Sequence, residues 1–287
     1  MGSEQFNTCW IVSEAGYGDP PFQTEAGAGP TIVNCLYTYT GRRPRALVDE
    51  CPPETLTIGD ALAHAAYLEA ASVAAFRDLA CQLEAHAAPA SLLRRLRSAA
   101  DDEVRHARAM SALARRRGGT PRPVRVPRTR RRPLLAIALE NATEGCVRET
   151  WGAVCAVVQS LRARDPELRA AMRGIARDEL RHAELSWHLG AWLGARLTEE
   201  ERALVDLERA GAVRALAREL DVTPREAWHA QLGFPTREET RAMLRALGAG
   251  VWKTRRNPSS ARRELRRRVR GPRRSGGSFV GASVTPR

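Results

Sequence analysis

Two short segments place a histidine three residues after a glutamate: Glu103 and His106 in DDEVRHARAM (101–110), Glu179 and His182 in RDELRHAELS (177–186). Positions i and i+3 share a helix face, so each segment can aim a carboxylate and an imidazole at one point. A single pair of this kind is commonly a solvated surface pair. Here the pair recurs, and each copy has a glutamate upstream in a small or apolar setting. Glu69 lies 34 residues before Glu103, and Glu144 lies 35 before Glu179. Four carboxylates and two imidazoles form a ligand set for two adjacent cations inside a helical bundle. The carboxylates can bridge the ions and offset their repulsion, and the imidazoles suit iron or manganese.

The segment around Glu144, LLAIALENATEGCVRETWGAV, holds three glutamates. The repeat offset selects Glu144. Glu140, four residues earlier on the same face, is an alternative ligand or a partner of the ligands. Glu149 is read as facing elsewhere, paired with Arg148 or Arg181 or simply solvated. Phe76 and Trp151 each follow a selected glutamate by seven residues and could line a cavity; ordinary bundle core is the plainer reading of both. His188 and His64 stand at spacings that point away from the site.

These side chains need long helices to hold them. Apolar periodicity without internal proline predicts helices over 57–86, 92–117, 134–163 and 166–195. The first and last pairs are joined by a few residues, whereas about 15 proline-rich residues separate the second and third helices. Each helix of about 28 residues is roughly 42 Å long, and an extended connection of about 15 residues reaches roughly 46 Å. The crossover can therefore span the bundle and leave the second and third helices parallel. Capping-box spacings at Thr198/Glu201, Thr223/Glu226 and Thr236/Glu239 open three further helices, over 199–220, 224–232 and 237–248. The expected class is all-α. A Gly/Pro/Thr-rich N-terminal arm (1–55), with one strand-like run at 31–40, precedes a four-helix bundle with one long crossover (56–196). Extra C-terminal helices (197–250) and a basic tail (251–287) follow.

The net charge of +13 is unevenly spread. Residues 251–287 carry twelve Arg or Lys against one Glu, residues 115–132 carry nine arginines and no acid, and the remainder is net acidic. The tail could meet nucleic acid or another polyanion, but it lacks interleaved aromatics and a recognition motif, which weighs against that use. Six cysteines without a CxxC pair read as free thiols rather than a zinc site. No stretch approaches 18 apolar residues, and the first residues lack a signal-peptide pattern, so a cytoplasmic protein without a membrane anchor is expected.

The segments EAASVAAF (69–76), DDEVRHAR (101–108), TEGCVRET (143–150) and RDELRHAELSW (177–187) resemble the ferritin-like di-iron carboxylate superfamily, and most closely a group of ferritin-like proteins frequent in myxobacteria. The resemblance covers roughly 57–195. It implies a ferritin-like bundle holding two iron ions, or manganese or a mixed Mn/Fe pair. Glu69 and Glu144 would be terminal ligands, Glu103 and Glu179 bridges, and His106 and His182 one cap each. Ala70 stands where that group more often has histidine. Ile175 replaces a histidine of the N-oxygenases, and the cysteine pairs of a rubredoxin-like domain are missing. The implied activity is a di-iron oxidase or oxygenase acting with O2 on a small organic substrate, with an electron donor if it is a monooxygenase. The alternative is a ferritin-type ferroxidase or iron-handling protein. A homodimer is a possible assembly.

Overall fold

The computed structural model describes residues 9–13, 31–35, 41–44, 47, 57–126, 130–222 and 227–253. Thr57 opens α1 (Ile58–Glu84) with a reciprocal capping box to Asp60. A short turn leads to α2 (Ala90–Arg116). The third rod is continuous but not uniform: α3 (Leu134–Glu140) passes into a π-helical segment, Asn141–Glu149, and then into α4 (Thr150–Arg162). Asp165 caps α5 (Pro166–Gly194), with proline at its first position where no N–H is needed.

The crossover runs the length of α1. Gly119, just after α2, packs against Gly59 at the start of α1, and a Cβ on either would collide with the other's backbone. Arg122 then lies over the Tyr67 ring at 5.3 Å. At the far end Gln82 donates to the Arg130 carbonyl at 3.0 Å and accepts from the Arg132 N–H at 2.9 Å. The third rod therefore starts where α1 ends and runs parallel to α2.

All four rods share two apolar clusters. One holds Ala61, Met110, Ala156 and Leu168 among others, and the second holds Phe76, Leu96, Ile137 and Leu189. Glu69, Glu103, His106, Glu179 and His182 fall between these two clusters. Their burial therefore follows from the apolar packing on both sides.

Outside the bundle, α6 (Glu199–Val222) packs on the π segment and α3. Two shorter helices follow, α7 (Ala227–Gln231) and α8 (Arg237–Ala249), the latter with a capping box between Thr236 and Glu239. Trp252, after α8, joins Val147, Trp151 and Leu216 in a third cluster. The expected start at Thr223/Glu226 and most of the basic tail lie outside the described residues. The arm contains more strand than the single expected run, because β1 (Cys9–Ser13) pairs antiparallel with β2 (Thr31–Cys35). Everything else regular among the described residues is helical, and no helix there is long and apolar enough to cross a membrane. Cys81, Cys146 and Cys155 are free thiols.

Candidate metal centre

Midway along the bundle, α1 contributes Glu69, α2 contributes Glu103 and His106, and α5 contributes Glu179 and His182. All five are at least 97% buried. His106 Nδ1 stands 3.4 Å from Glu103 Oε2, 3.4 Å from Glu179 Oε1 and 3.6 Å from Glu69 Oε2. His182 Nδ1 stands 3.2 Å from Glu103 Oε1 and 3.7 Å from Glu179 Oε1. Donor atoms about 2.1 Å from one cation stand roughly 3.0–3.4 Å apart at right or tetrahedral angles. The spacing is therefore that of ligand atoms around a shared ion.

Two groups have donor atoms within 4.8 Å of one another: Glu69, Glu103, His106 and Glu179, and Glu149, Glu179 and His182. Glu179 belongs to both, and Glu103 turns one oxygen toward each histidine, so these two carboxylates lie between the two imidazoles. All eight oxygens of the four glutamates, and both inward imidazole nitrogens, are buried without a hydrogen-bond partner among the described residues. Buried carboxylates left in that state are costly, and cations are the natural complement. The residues fit a pair of metal ions.

Glu149 replaces Glu144 in this arrangement. Five residues of regular α-helix span about 500°, which would put Glu149 some 140° away from Glu144. The wider i→i+5 turns of the π segment alter that phase and swing Glu149 inward, where it is fully buried. Glu144 stays on the flank, accepting from the Arg43 N–H at 3.3 Å and facing Arg148 Nε at 3.5 Å. Glu140 is no partner of the ligands either. It pairs with Arg132 of the crossover, which also reaches Asp78 at 3.4 Å.

Side chains of the rod itself, and one from beyond α8, hold the π segment. The Cys146 carbonyl accepts from two side chains, the Thr150 hydroxyl at 2.8 Å and the Trp252 indole N–H at 2.9 Å. Asn141 folds over Gly145, where a Cβ would come within 2.5 Å of its Oδ1, and donates to the Ser186 carbonyl at 2.9 Å. Trp252→Phe keeps most of the buried ring and removes the N–H. It is expected to lower the melting stability by about 1–2 kcal/mol and to weaken metal binding on the Glu149 side, as read by thermal unfolding and metal titration. Unchanged metal affinity would leave Trp252 a packing residue only.

The outer imidazole nitrogens meet a reciprocal pair of aspartates. His106 Nε2 of α2 lies 3.1 Å from Asp178 Oδ2 of α5, and His182 Nε2 of α5 lies 3.2 Å from Asp102 Oδ2 of α2. Arg105 and Arg181 each bridge both aspartates. An Nε2–H donated outward leaves the Nδ1 lone pair facing the centre, the tautomer that a metal requires.

Burial and the neighbouring Glu103 raise the Glu69 carboxyl to about 7. Burial, then Glu179, push Glu149 well above the ordinary carboxylate range. Burial alone would lower both histidines. It is outweighed at His106 by Glu103, Glu179 and Glu69, and at His182 by Asp102 and Glu103, which carry His182 to about 11. Burial would also raise Asp102, but His182 and Arg105 hold it far below the usual carboxylate range. In the absence of a cation, the shifts at Glu69, Glu149, His106 and His182 all favour the protonated form.

The Phe76 ring lies against the site, its centroid 5.2 Å from that of His182. Trp151 is buried in the cluster shared with α6 and Trp252. His188 is exposed and meets Arg95, and buried His64 belongs to neither metal group. The sequence reading missed Glu149, Asp102, Asp178 and Arg42. An aspartate precedes the glutamate in both copies of the repeat, and that signal was available. Arg42 has no comparable mark. It reaches the bundle from the N-terminal segment and donates to Asn141, 99 residues away.

Comparison with family models, with curated proteins and with solved structures found no match. The fold and site therefore define the class directly: a protein whose described residues are helical apart from one two-stranded ribbon, with a buried carboxylate and histidine cluster able to hold metal ions.

Proposed function

We propose that this chain is a ferritin-like dinuclear metalloenzyme, an oxidase or oxygenase that uses O2 to oxidise a small organic substrate. The observation that carries the reading is the pair of donor groups joined through Glu103 and Glu179, whose inward oxygens have no hydrogen-bond partner among the described residues. The four rods with short, long and short connections support the ferritin-like assignment. Iron, or manganese in part or in full, would supply two-electron redox chemistry toward O2 when bound.

The protein's own residues have separable tasks. Glu69 with His106, and Glu149 with His182, would hold the outer side of one ion each, while Glu103 and Glu179 span the two. Asp178 and Asp102 fix the imidazoles, and Phe76 with the apolar clusters above and below keeps bulk water out. A cleft of about 520 Å³, walled by Asn141, Cys146, Trp187, Gly190 and Arg209, opens between the third rod, α5 and α6. This volume suits a small organic molecule.

Anaerobic Fe(II) loading with metal quantification, followed by O2 uptake in the presence of candidate compounds, tests the proposal. Two ions per chain and compound-dependent O2 uptake are expected. Binding well below two ions sinks the dinuclear reading. Repeated Fe(II) oxidation with accumulating ferric mineral and no organic product would instead make the protein a ferroxidase.

A further inference from the structure

We propose that Arg42 makes the centre a receptor for a small organic carboxylate. The inference rests on the dinuclear reading and deepens it by naming the chemical class of the ligand. It starts from how Arg42 reaches the core. Gly41 adopts φ 77° and lies so close to α1 that a Cβ would come within 2.1 Å of Ser72 Oγ. Glycine alone accommodates both features. Ser72 then donates to the Arg42 carbonyl at 3.0 Å, fixing the backbone beside α1. The guanidinium points inward and the residue is 1% exposed.

Its partners inside do not satisfy it. Both terminal nitrogens donate to one neutral acceptor, Asn141 Oδ1, at 3.2 and 3.1 Å. The Nε–H has no acceptor among the described residues. The guanidinium carbon stands 6.0 Å from the Phe76 ring centroid, and Phe76 in turn packs on His182. A guanidinium offers five N–H groups in a planar fork. Among the described residues its hydrogen bonds go to a neutral amide only, an expensive burial for a cation, and an anion is the partner that offsets the cost.

Charge balance around the loaded centre leads to the same conclusion. Four carboxylates would offset two divalent ions, and the imidazoles would be neutral. Asp102 and Asp178 are already paired with Arg105 and Arg181. Among the described residues Arg42 is left as one positive charge near the two cations, so the loaded centre favours one exogenous anion. A carboxylate fits best, because it can take the Nε edge of the fork with two parallel bonds.

The test loads full-length protein with Co(II), counts the ions, and titrates acetate while following the cobalt absorption bands. Azide, acetamide and the variants Arg42→Gln and Arg42→Lys serve as comparisons. Two ions per chain are expected in all three proteins. Acetate should shift the bands of the unaltered protein and bind more tightly than azide, and acetamide should leave them unchanged. Arg42→Gln should weaken acetate by about tenfold or more, and Arg42→Lys should recover part of that loss. Equal acetate affinity with and without Arg42, acetamide matching acetate, or a preference for azide each overturns the inference. If Arg42→Gln cannot hold the ions, Arg42→Lys together with the acetate and acetamide pair decides. Fewer than two ions in the unaltered protein, seen before any anion is added, overturns the dinuclear reading itself.

Discussion

Glu149→Ala is expected to reduce tight metal binding from two ions per chain to one, whereas Glu144→Ala leaves it at two. Glu149 brings the only donor of the third rod to the group formed with Glu179 and His182, so its loss leaves that position with the bridging carboxylates and one imidazole. Losing an outer-shell partner of a metal ligand typically costs 10–100-fold in affinity, so loss of a direct ligand should cost at least about 100-fold. Glu144 instead faces Arg148 and the Arg43 N–H on the flank. Its removal should cost no more than about 1 kcal/mol of stability, the usual value of a partly exposed ion pair. Equilibrium dialysis of the two variants against Mn(II) or Co(II) decides between them. The reverse outcome would mean that the third rod presents its ligand in regular helical register.

The second large effect is a loss of stability in the metal-free protein as pH rises from 6.5 to 8.5. Stability falls with pH wherever the folded chain holds more protons than the unfolded one. His106 and His182 are raised above the ordinary 6.5, His182 to about 11, so their contribution is complete below 6.5 and drains away above it. Glu69, raised from 4.5 to about 7, acts in the same direction and completes its loss near neutrality. His64 opposes them only at lower pH. Burial, Arg43 and Arg122 depress it to about 3, so the stability it adds is regained between 3 and 6.5 and is flat beyond. Each imidazole that keeps its proton in the folded chain costs about 1.4 kcal/mol per pH unit above 6.5. Melting temperatures in chelator at pH 6.5, 7.5 and 8.5 should therefore descend. Mn(II) or Co(II) should reverse the trend, because the ions take the place of the protons and bind more tightly as pH rises. A flat or rising metal-free series would show that the cluster is not held together by protons.

Much of this arrangement could be read along the chain. The rods were visible in their apolar period, and α1, α5 and α8 begin at Thr57, Asp165 and Thr236, each with its own capping hydrogen bond. The duplicated Glu-x-x-His pattern singled out Glu103, His106, Glu179 and His182, and counting back from it found Glu69. All five lie together between the two apolar clusters. The same counting failed on the third rod because it presumed one helical pitch throughout. NATEGCVRE carries the π turn, and nothing in its composition sets that pitch by itself. The crossed pairing of Asp102 with His182 and Asp178 with His106 was likewise hidden, since a repeat shows that both copies exist but not that each serves the other.

By itself, the sequence determined the features whose causes are local: helix starts, apolar faces, the lengths of the connections, and which glutamate and histidine share a face. Tertiary structure decided the rest. Whether Glu144 or Glu149 faces the centre depends on the turn at Asn141–Glu149. That turn is held by Trp252, 106 residues beyond the carbonyl it caps, and by Asn141, whose amide Arg42 engages from 99 residues before it. A helix of regular pitch satisfies its own backbone, so its faces can be counted along the sequence. A widened turn leaves a carbonyl for other groups to satisfy, and those groups reach it only once the chain has folded.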